Sequence, residues 1–185
     1  DVDSEYDYEL LGYITPKKMG QAYHCPVFNG LSKQTTSEQL MDLGTQLNIH
    51  GIVPMFHVVG VTPEAADVHT AFLGRKDPPV VTITNEDLAQ ARAEISAGTG
   101  KADFCILGCP HLTINQVGSI AKMLDGQQLA GQLYIFTSTS TKELAQRMGY
   151  LDIIHKAGGE IVINSCVDQP CWSHLYGMSG VTESP

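Results

Sequence analysis

The sequence predicts an α/β fold in which a parallel sheet is flanked by helices, and three observations carry that expectation. Apolar, β-rich runs recur along the chain, each is followed by a turn bearing Gly, Thr, Asn, Ser or Cys, and a helical pattern follows each turn. Continuous apolar strands separated by helices of about ten residues or more belong to parallel sheets covered on both faces.

In chain order, the first fifty residues hold an entry segment from Leu10 to Ile14, a strand over Tyr23 to Phe28, and a helix for which Ser37 serves as N-cap. Leu40, Leu43 and Leu47 place an apolar face on that helix at the right spacing. Five strand-like runs follow: Ile52–Val59, Val80–Thr84, Ala102–Leu107, Gln132–Phe136 and Glu160–Asn164. Helix starts are expected at Asn85, at Thr113, and at Thr139 or Ser140. Gly98 with Gly100, then Gly126, then Gly158-Gly159 stand where left-handed caps would close the helices. No linker or low-complexity stretch interrupts the series, so residues 1–185 are expected to form one α/β domain, a piece of a longer polypeptide.

Composition narrows the function classes. With 11 Lys and Arg against 20 Asp and Glu, the net charge is −9, which argues against nucleic acid as a partner because no basic stripe is present to neutralise phosphates. No membrane association is expected either. The longest apolar stretch, Gly51 to Val61, is broken by Pro54 and His57 and falls short of the ~20 residues a spanning helix needs. The start, Asp1-Val2-Asp3-Ser4-Glu5, lacks the basic and apolar regions of a secretory signal, so a cytoplasmic location is expected. Five cysteines, an odd number in a chain of this size, read as reduced thiols or metal ligands rather than a disulfide framework.

If the five runs share one sheet, their turns lie along one edge, where open α/β sheets bind ligands. Those turns carry His57 and Gly60 with Thr62-Pro63-Glu64, then Thr84-Asn85-Glu86, Cys109-Pro110-His111, Thr137-Ser138-Thr139, and Ser165-Cys166. Imidazoles, hydroxyls, thiols and a carboxylate at one edge suit a polar small molecule. Cys109 follows the apolar run ending at Leu107 in the turn Gly108-Cys109-Pro110-His111, and Cys166 follows the run ending at Asn164. Either thiol alone reads as a packed core residue, but the pair at matching strand ends points to ligation of iron–sulfur or zinc. A zinc set of Cys109, Cys166 and His111 with Cys171 or His174 competes, against the absence of a short ligand knuckle. A nucleophilic couple of Cys109 with His57 or His111 is a further alternative. His57 reads equally as a core histidine or as a group facing the crevice. Thr62 with Pro63 and Glu64 also makes a sound helix start, and Ser138 stands in a run suited to capping a helix or to holding a carboxylate or phosphate.

Several blocks together resemble the large-subunit catalytic region of the aconitase X family. They are Leu11-Gly12-Tyr13, Val58-Val59-Gly60-Val61-Thr62-Pro63-Glu64-Ala65, Leu107-Gly108-Cys109-Pro110-His111-Leu112, Arg147-Met148-Gly149-Tyr150 and Asn164-Ser165-Cys166, in family order across nearly the whole chain. The resemblance implies an aconitase-like three-layer α/β domain and a hydro-lyase acting on a hydroxy acid, cis-3-hydroxy-L-proline in the first instance or phosphorylated mevalonate as the alternative. It implies an iron–sulfur cluster, [2Fe-2S] or [4Fe-4S], held by Cys109, Cys166 and a third cysteine outside this chain. It implies a small swivelling domain or subunit as partner, without which the isolated piece would be inactive. His57 and His111 would be catalytic, and Thr62, Glu64 and Ser138 would bind substrate. The family often has Asp-Thr-Cys where this chain has Asn164-Ser165-Cys166, which keeps the ligand and changes its neighbours. A folded module that binds zinc or a ligand without turnover is the non-enzymatic alternative.

Overall fold

The computed structural model describes residues 2–20, 24–76, 78–96, 98, 100–166 and 169–183. The chain was expected to form one domain with one sheet, but it packs as two compact units, Asp1–Ala97 and Gly98–Ser184, and each has its own sheet. The physical reason lies in the first two predicted runs, neither of which joins the large sheet.

In the first unit, α1 (Glu5–Met19) is opened by Ser4, whose hydroxyl accepts from the Asp7 amide while the Asp7 carboxylate accepts from the Ser4 amide. The entry segment Leu10 to Ile14 is therefore the middle of a helix. Tyr8, Leu10, Leu11 and Ile14 are buried there, together with the polar Glu9 and Thr15. The helix ends at Gly20 in the left-handed conformation. Strand β1 (Val27–Phe28) occupies the last part of the predicted run from Tyr23, which itself lies outside the described residues. Helix α2 (Ser37–Gly51) is capped by Thr36 rather than Ser37, because Thr36 and Gln39 form the reciprocal capping pair.

Helices α1 and α2 approach closely through Gly12, where an added Cβ would lie 2.6 Å from the Gln46 Cβ and 2.7 Å from the Leu43 carbonyl oxygen. Neither neighbour is the far end of a flexible side chain, so the helices themselves would have to part. Gly12→Ala is accordingly expected to destabilise this unit by about 1–3 kcal/mol, the usual range for overpacking, read as a lowered denaturant midpoint.

The run Ile52–Val59 contributes only β2 (His57–Val58), which pairs in parallel with β1 in a two-stranded sheet. Helix α3 (Val68–Ala71) is opened by Asp67, whose carboxylate accepts from the Thr70 amide. Thr62 therefore opens no helix. The run Val80–Thr84 is irregular backbone, a correction to the predicted strand. Val80 is 85% exposed while Ile83 packs on the core, so the segment lacks the two-sided burial that a central strand requires. It leads instead into Thr84, the N-cap of α4 (Asn85–Ile95), paired with Asp87.

The second unit is the regular part. Its strands are β3 (Phe104–Leu112), β4 (Gln132–Thr137), β5 (Gly159–Ile163) and β6 (Gly180–Thr182), and its helices are α5 (Ile114–Leu124), α6 (Thr139–Arg147) and α7 (Tyr150–Ala157). The strand order is β5-β4-β3-β6 with every pair parallel. Alternate residues face opposite sides of a strand. Cys105, Leu107, Leu133, Ile135 and Ile161 accordingly pack with Val117, Ala121, Ala145, Leu151 and Ile154 of the three helices. Phe104, Ile106, Tyr134, Phe136 and Val162 face the other side, covered by Trp172 and Leu175 of the 3-10 turn Pro170–Leu175. The sheet is flanked on both faces, as expected from continuous apolar runs.

Thr113 caps α5 as predicted, but α6 is capped by Ser138, one residue before the predicted choices. Gly158, at φ 97°, closes α7 as a left-handed cap, whereas Gly159 already belongs to β5. Gly126 is left-handed one residue beyond the end cap of α5, Asp125, and α4 ends at Ser96 rather than at Gly98 or Gly100.

Candidate functional site

The predicted turn Gly108-Cys109-Pro110-His111 is not a turn but a bulged continuation of β3. Leu107 pairs with Ile135, and the next pairing joins Leu112 to Thr137, so five residues of β3 advance while β4 advances by two. A strand with surplus residues must arch out of its ladder there. The arch begins at Gly108, at φ 121°, where an added Cβ would lie 2.7 Å from the Phe136 Cβ and 2.9 Å from the Phe136 carbonyl carbon. Only glycine satisfies both the backbone angle and the contact. The Cys109-Pro110 peptide is cis. Cys109 is half-buried, and none of the five cysteines is in a disulfide.

On the arch the amides of Gly108 and Cys109 are met by a side chain from just beyond the end of β6. The Glu183 carboxylate, one residue beyond β6, accepts from the Gly108 amide and, at 3.2 Å through the same Oε1, from the Cys109 amide. Burial pushes the Glu183 carboxyl above the usual range, with the two amide donors pulling the other way. Its Oε2 is buried and has no hydrogen-bond partner among the described residues. Sequence reasoning missed this residue. The signal that places it is the β6 register, in which Thr182 pairs with Ile106 and so brings the next residue alongside the bulge.

His111, at the far end of the bulge, reaches across to the turn after β5, where its Nε2 lies 3.0 Å from the Ser165 carbonyl oxygen. That is a hydrogen bond when the ring carries its proton on Nε2. Trp172 Nε1 donates to the Ser165 hydroxyl at 3.3 Å from the other side. Asn164, at φ 54°, turns the chain at this point, and the Thr139 hydroxyl donates to its Oδ1 at 3.3 Å. Cys166 follows, exposed. The structure thus ties the two cysteine-bearing segments together through His111 and Ser165. Ser138 lies on the neighbouring turn, but its hydroxyl is used in capping: it accepts from the Thr141 amide at 3.1 Å and contacts the Ser140 and Thr141 hydroxyls at 2.9 and 3.0 Å.

Among the described residues no group of three or more His, Cys, Asp or Glu gathers as a metal site. The four-ligand zinc set is therefore not assembled, and His174 directs its Nδ1 to the Cys171 carbonyl at 3.3 Å. What is present is a two-thiol donor set on linked segments, suited in its chemistry to a soft metal centre that takes its remaining ligand from elsewhere.

His57, Thr62 and Glu64 belong to the first unit, a correction to their placement on one sheet edge with the cysteines. His57 opens β2, its Nδ1 buried without a hydrogen bond among the described residues and 3.9 Å from the Glu64 carboxylate. The Thr62 hydroxyl accepts from the Val58 amide at 3.0 Å and lies 3.2 Å from the Val58 carbonyl oxygen, which locks the turn after β2. Glu64 is 68% exposed. His57 also lines a groove of about 1310 Å³ within this unit, with His24, Asn29, Ser32, Arg75 and Lys76.

Comparison with known proteins divides the chain in the same way as its packing. A model described as the aconitase X second domain matches residues 1–93, and one described as the aconitase X third domain matches residues 102–185. The chain is 34% identical to the phosphomevalonate dehydratase large subunit of Methanothermobacter thermautotrophicus over 90% of its own length and 41% of that protein. It is 32% identical to a cis-3-hydroxy-L-proline dehydratase of Pseudomonas aeruginosa over 88% of its length and 29% of that protein. The crystal structure of Thermococcus kodakaraensis aconitase X in its holo-form superposes with a TM-score of 0.83 at 29% identity, covering 100% of this chain and 46% of that one. The chain thus spans less than half the length of these relatives.

Proposed function

The chain belongs to the aconitase X family, and on that premise we propose that it forms the second and third domains of a hydro-lyase that removes water from a small hydroxy acid. The observation that carries this reading is the link between the two thiol-bearing segments, Cys109 on the bulge of β3 and Cys166 after β5, through His111 and Ser165. Cys109 and Cys166 would hold an iron–sulfur cluster together with a cysteine from outside this chain. When bound, such a cluster supplies a Lewis acid that polarises the substrate's hydroxyl or carboxylate.

The chain's own residues would do the rest. His111 holds the Cys166 turn through Nε2, which leaves Nδ1 as the nitrogen available for proton transfer. In the first unit, His57 is proposed as a second proton-handling group, with Glu64 near its Nδ1 and Thr62 fixing the turn that follows it. Ser138 keeps the N-terminus of α6 in place, where free backbone amides favour a carboxylate. The name of the large-subunit relative supports a small subunit as partner, and five cysteines outside any disulfide support a cytoplasmic setting. No helix among the described residues is long and apolar enough to cross a membrane.

Cis-3-hydroxy-L-proline remains the first substrate to try. Arg75 and Lys76 in the groove of the first unit favour the second, phosphomevalonate, because two cations side by side can meet a phosphate. The test is to prepare the full-length protein with its small subunit anaerobically, measure iron and sulfide, and follow both substrates in parallel. Dehydration of one substrate by an iron- and sulfide-containing preparation is the expected result. A preparation that carries iron and sulfide yet turns over neither would refute the substrate assignment, and an iron-free preparation made with cluster supply would refute the cluster.

A further inference from the structure

We propose that Glu183 is a positioning residue for Cys109, holding the bulge of β3 in the shape that presents the thiol for ligation before any cluster is bound. The proposal rests on the cluster reading above for its purpose, but its geometry lies wholly within the second unit.

The bulge poses a problem that the sheet cannot solve. From the pairing of Leu107 to that of Leu112, β3 advances five residues while β4 advances two, and on this arch the amides of Gly108 and Cys109 both donate to a side chain. An amide left without an acceptor in a partly buried position destabilises the conformation that strands it. Strand β6 runs beside β3 on the opposite edge from β4 but ends at Thr182, opposite Ile106. The Glu183 side chain extends from that end and places one oxygen against both amides. A single acceptor shared by two successive amides fixes the peptide plane between Gly108 and Cys109, and with it the direction in which the Cys109 side chain leaves the backbone.

Placing a carboxylate there is costly for folding, since its second oxygen is buried with no hydrogen-bond partner among the described residues. Glu183 also engages the amide of the thiol-bearing residue itself. Groups next to a metal ligand orient it, and their removal typically weakens metal binding about 10–100-fold.

The experiment compares Glu183→Ala, Glu183→Gln and Glu183→Asp in the full-length protein. Gln keeps an acceptor oxygen at the same reach, whereas Asp is one methylene shorter and withdraws it. Cluster binding is read as iron and sulfide retained after a chelator challenge, together with the visible absorption and circular dichroism of the bound cluster. Shape without cluster is read as the alkylation rate of Cys109 in the apo-protein, with far-ultraviolet circular dichroism and the denaturant midpoint as folding controls. The proposal expects Glu183→Ala and Glu183→Asp to lose iron about tenfold more readily and to change the Cys109 alkylation rate several-fold, with Glu183→Gln close to wild type in both.

Cluster retention and Cys109 reactivity unchanged in a folded Glu183→Ala would overturn it, as would Glu183→Gln failing as badly as Ala. Should Ala not fold, the Gln and Asp pair decides by the same criteria. If wild type binds no iron, the cluster reading falls, and the alkylation rates still decide whether Glu183 sets the shape of the bulge.

Discussion

Replacing Gly108 with Ala is expected to destabilise the second unit by roughly 3–5 kcal/mol, the sum of a strained left-handed backbone and a clash with a neighbour that cannot rotate away. The residue stands at φ 121°, and the new methyl would press on the Phe136 backbone, with the Phe136 Cβ at 2.7 Å. Phe136 is buried on β4, the central partner of both β3 and β5, so it cannot shift without moving the sheet. A loss of that size is a large part of the ~5–15 kcal/mol that usually separates folded from unfolded domains. Equilibrium urea unfolding, followed by far-ultraviolet circular dichroism, measures it. A midpoint within experimental error of wild type would show that the bulge relaxes freely, which would also undercut its role as a rigid mount for Cys109.

On the proposed function, Cys109→Ala and Cys166→Ala in the full-length protein are each expected to abolish stable iron binding and to lower dehydratase activity at least about a thousandfold, the equivalent of some 4 kcal/mol of transition-state stabilisation from a Lewis acid. The two substitutions should differ in their effect on folding. Cys166 is exposed after β5, and its loss should leave the apo-protein's stability unchanged within about 0.5 kcal/mol. Cys109 is half-buried on the bulge, so a modest further loss is expected there. Cys105→Ala serves as the control, because that thiol packs against the helices of the second unit and burial raises its pKa. It should lower stability and leave the iron content per folded molecule unchanged. Metal analysis beside denaturation curves for the three variants separates ligand from core.

The uneven legibility of the fold follows from what each segment buries. Strands β3, β4 and β5 were legible because both of their faces are covered, which leaves continuous apolar runs between polar turns. Val80 to Thr84 carries the same composition and forms no strand, since a short apolar run records hydrophobicity and not its pairing partner. Helix α1 is hard to recognise in the sequence because it buries Glu9 and Thr15 among its apolar residues, which erases the one-sided pattern of an amphipathic helix. The helix starts slipped by one residue at Thr36 and Thr84 because the capping residue is defined by its partner three positions on, Gln39 and Asp87 respectively.

The candidate site shows the same division. Cys109 and Cys166 could be singled out because thiols at matching strand ends are chemically conspicuous, and the structure links their turns through His111. Glu183 could not, because its partner Cys109 lies 74 residues earlier and only the register of a three-residue edge strand brings them together. The bulge was equally hidden, since the run from Phe104 to Leu112 does not reveal how many residues of β4 it will face.

Trp172 gives the second unit an optical property. It is the only tryptophan of the chain, it donates to the Ser165 hydroxyl one residue before Cys166, and it stands edge-on to Phe136, whose backbone backs the Gly108 bulge. Its indole is thus in contact with supports of both thiol-bearing segments, and with the rings of Tyr134 and His174 besides. A rearrangement that moves Ser165 or Phe136 reaches this indole through a hydrogen bond or a ring contact, so emission excited selectively at tryptophan is a local gauge of the site and not an average over the seven tyrosines of the chain.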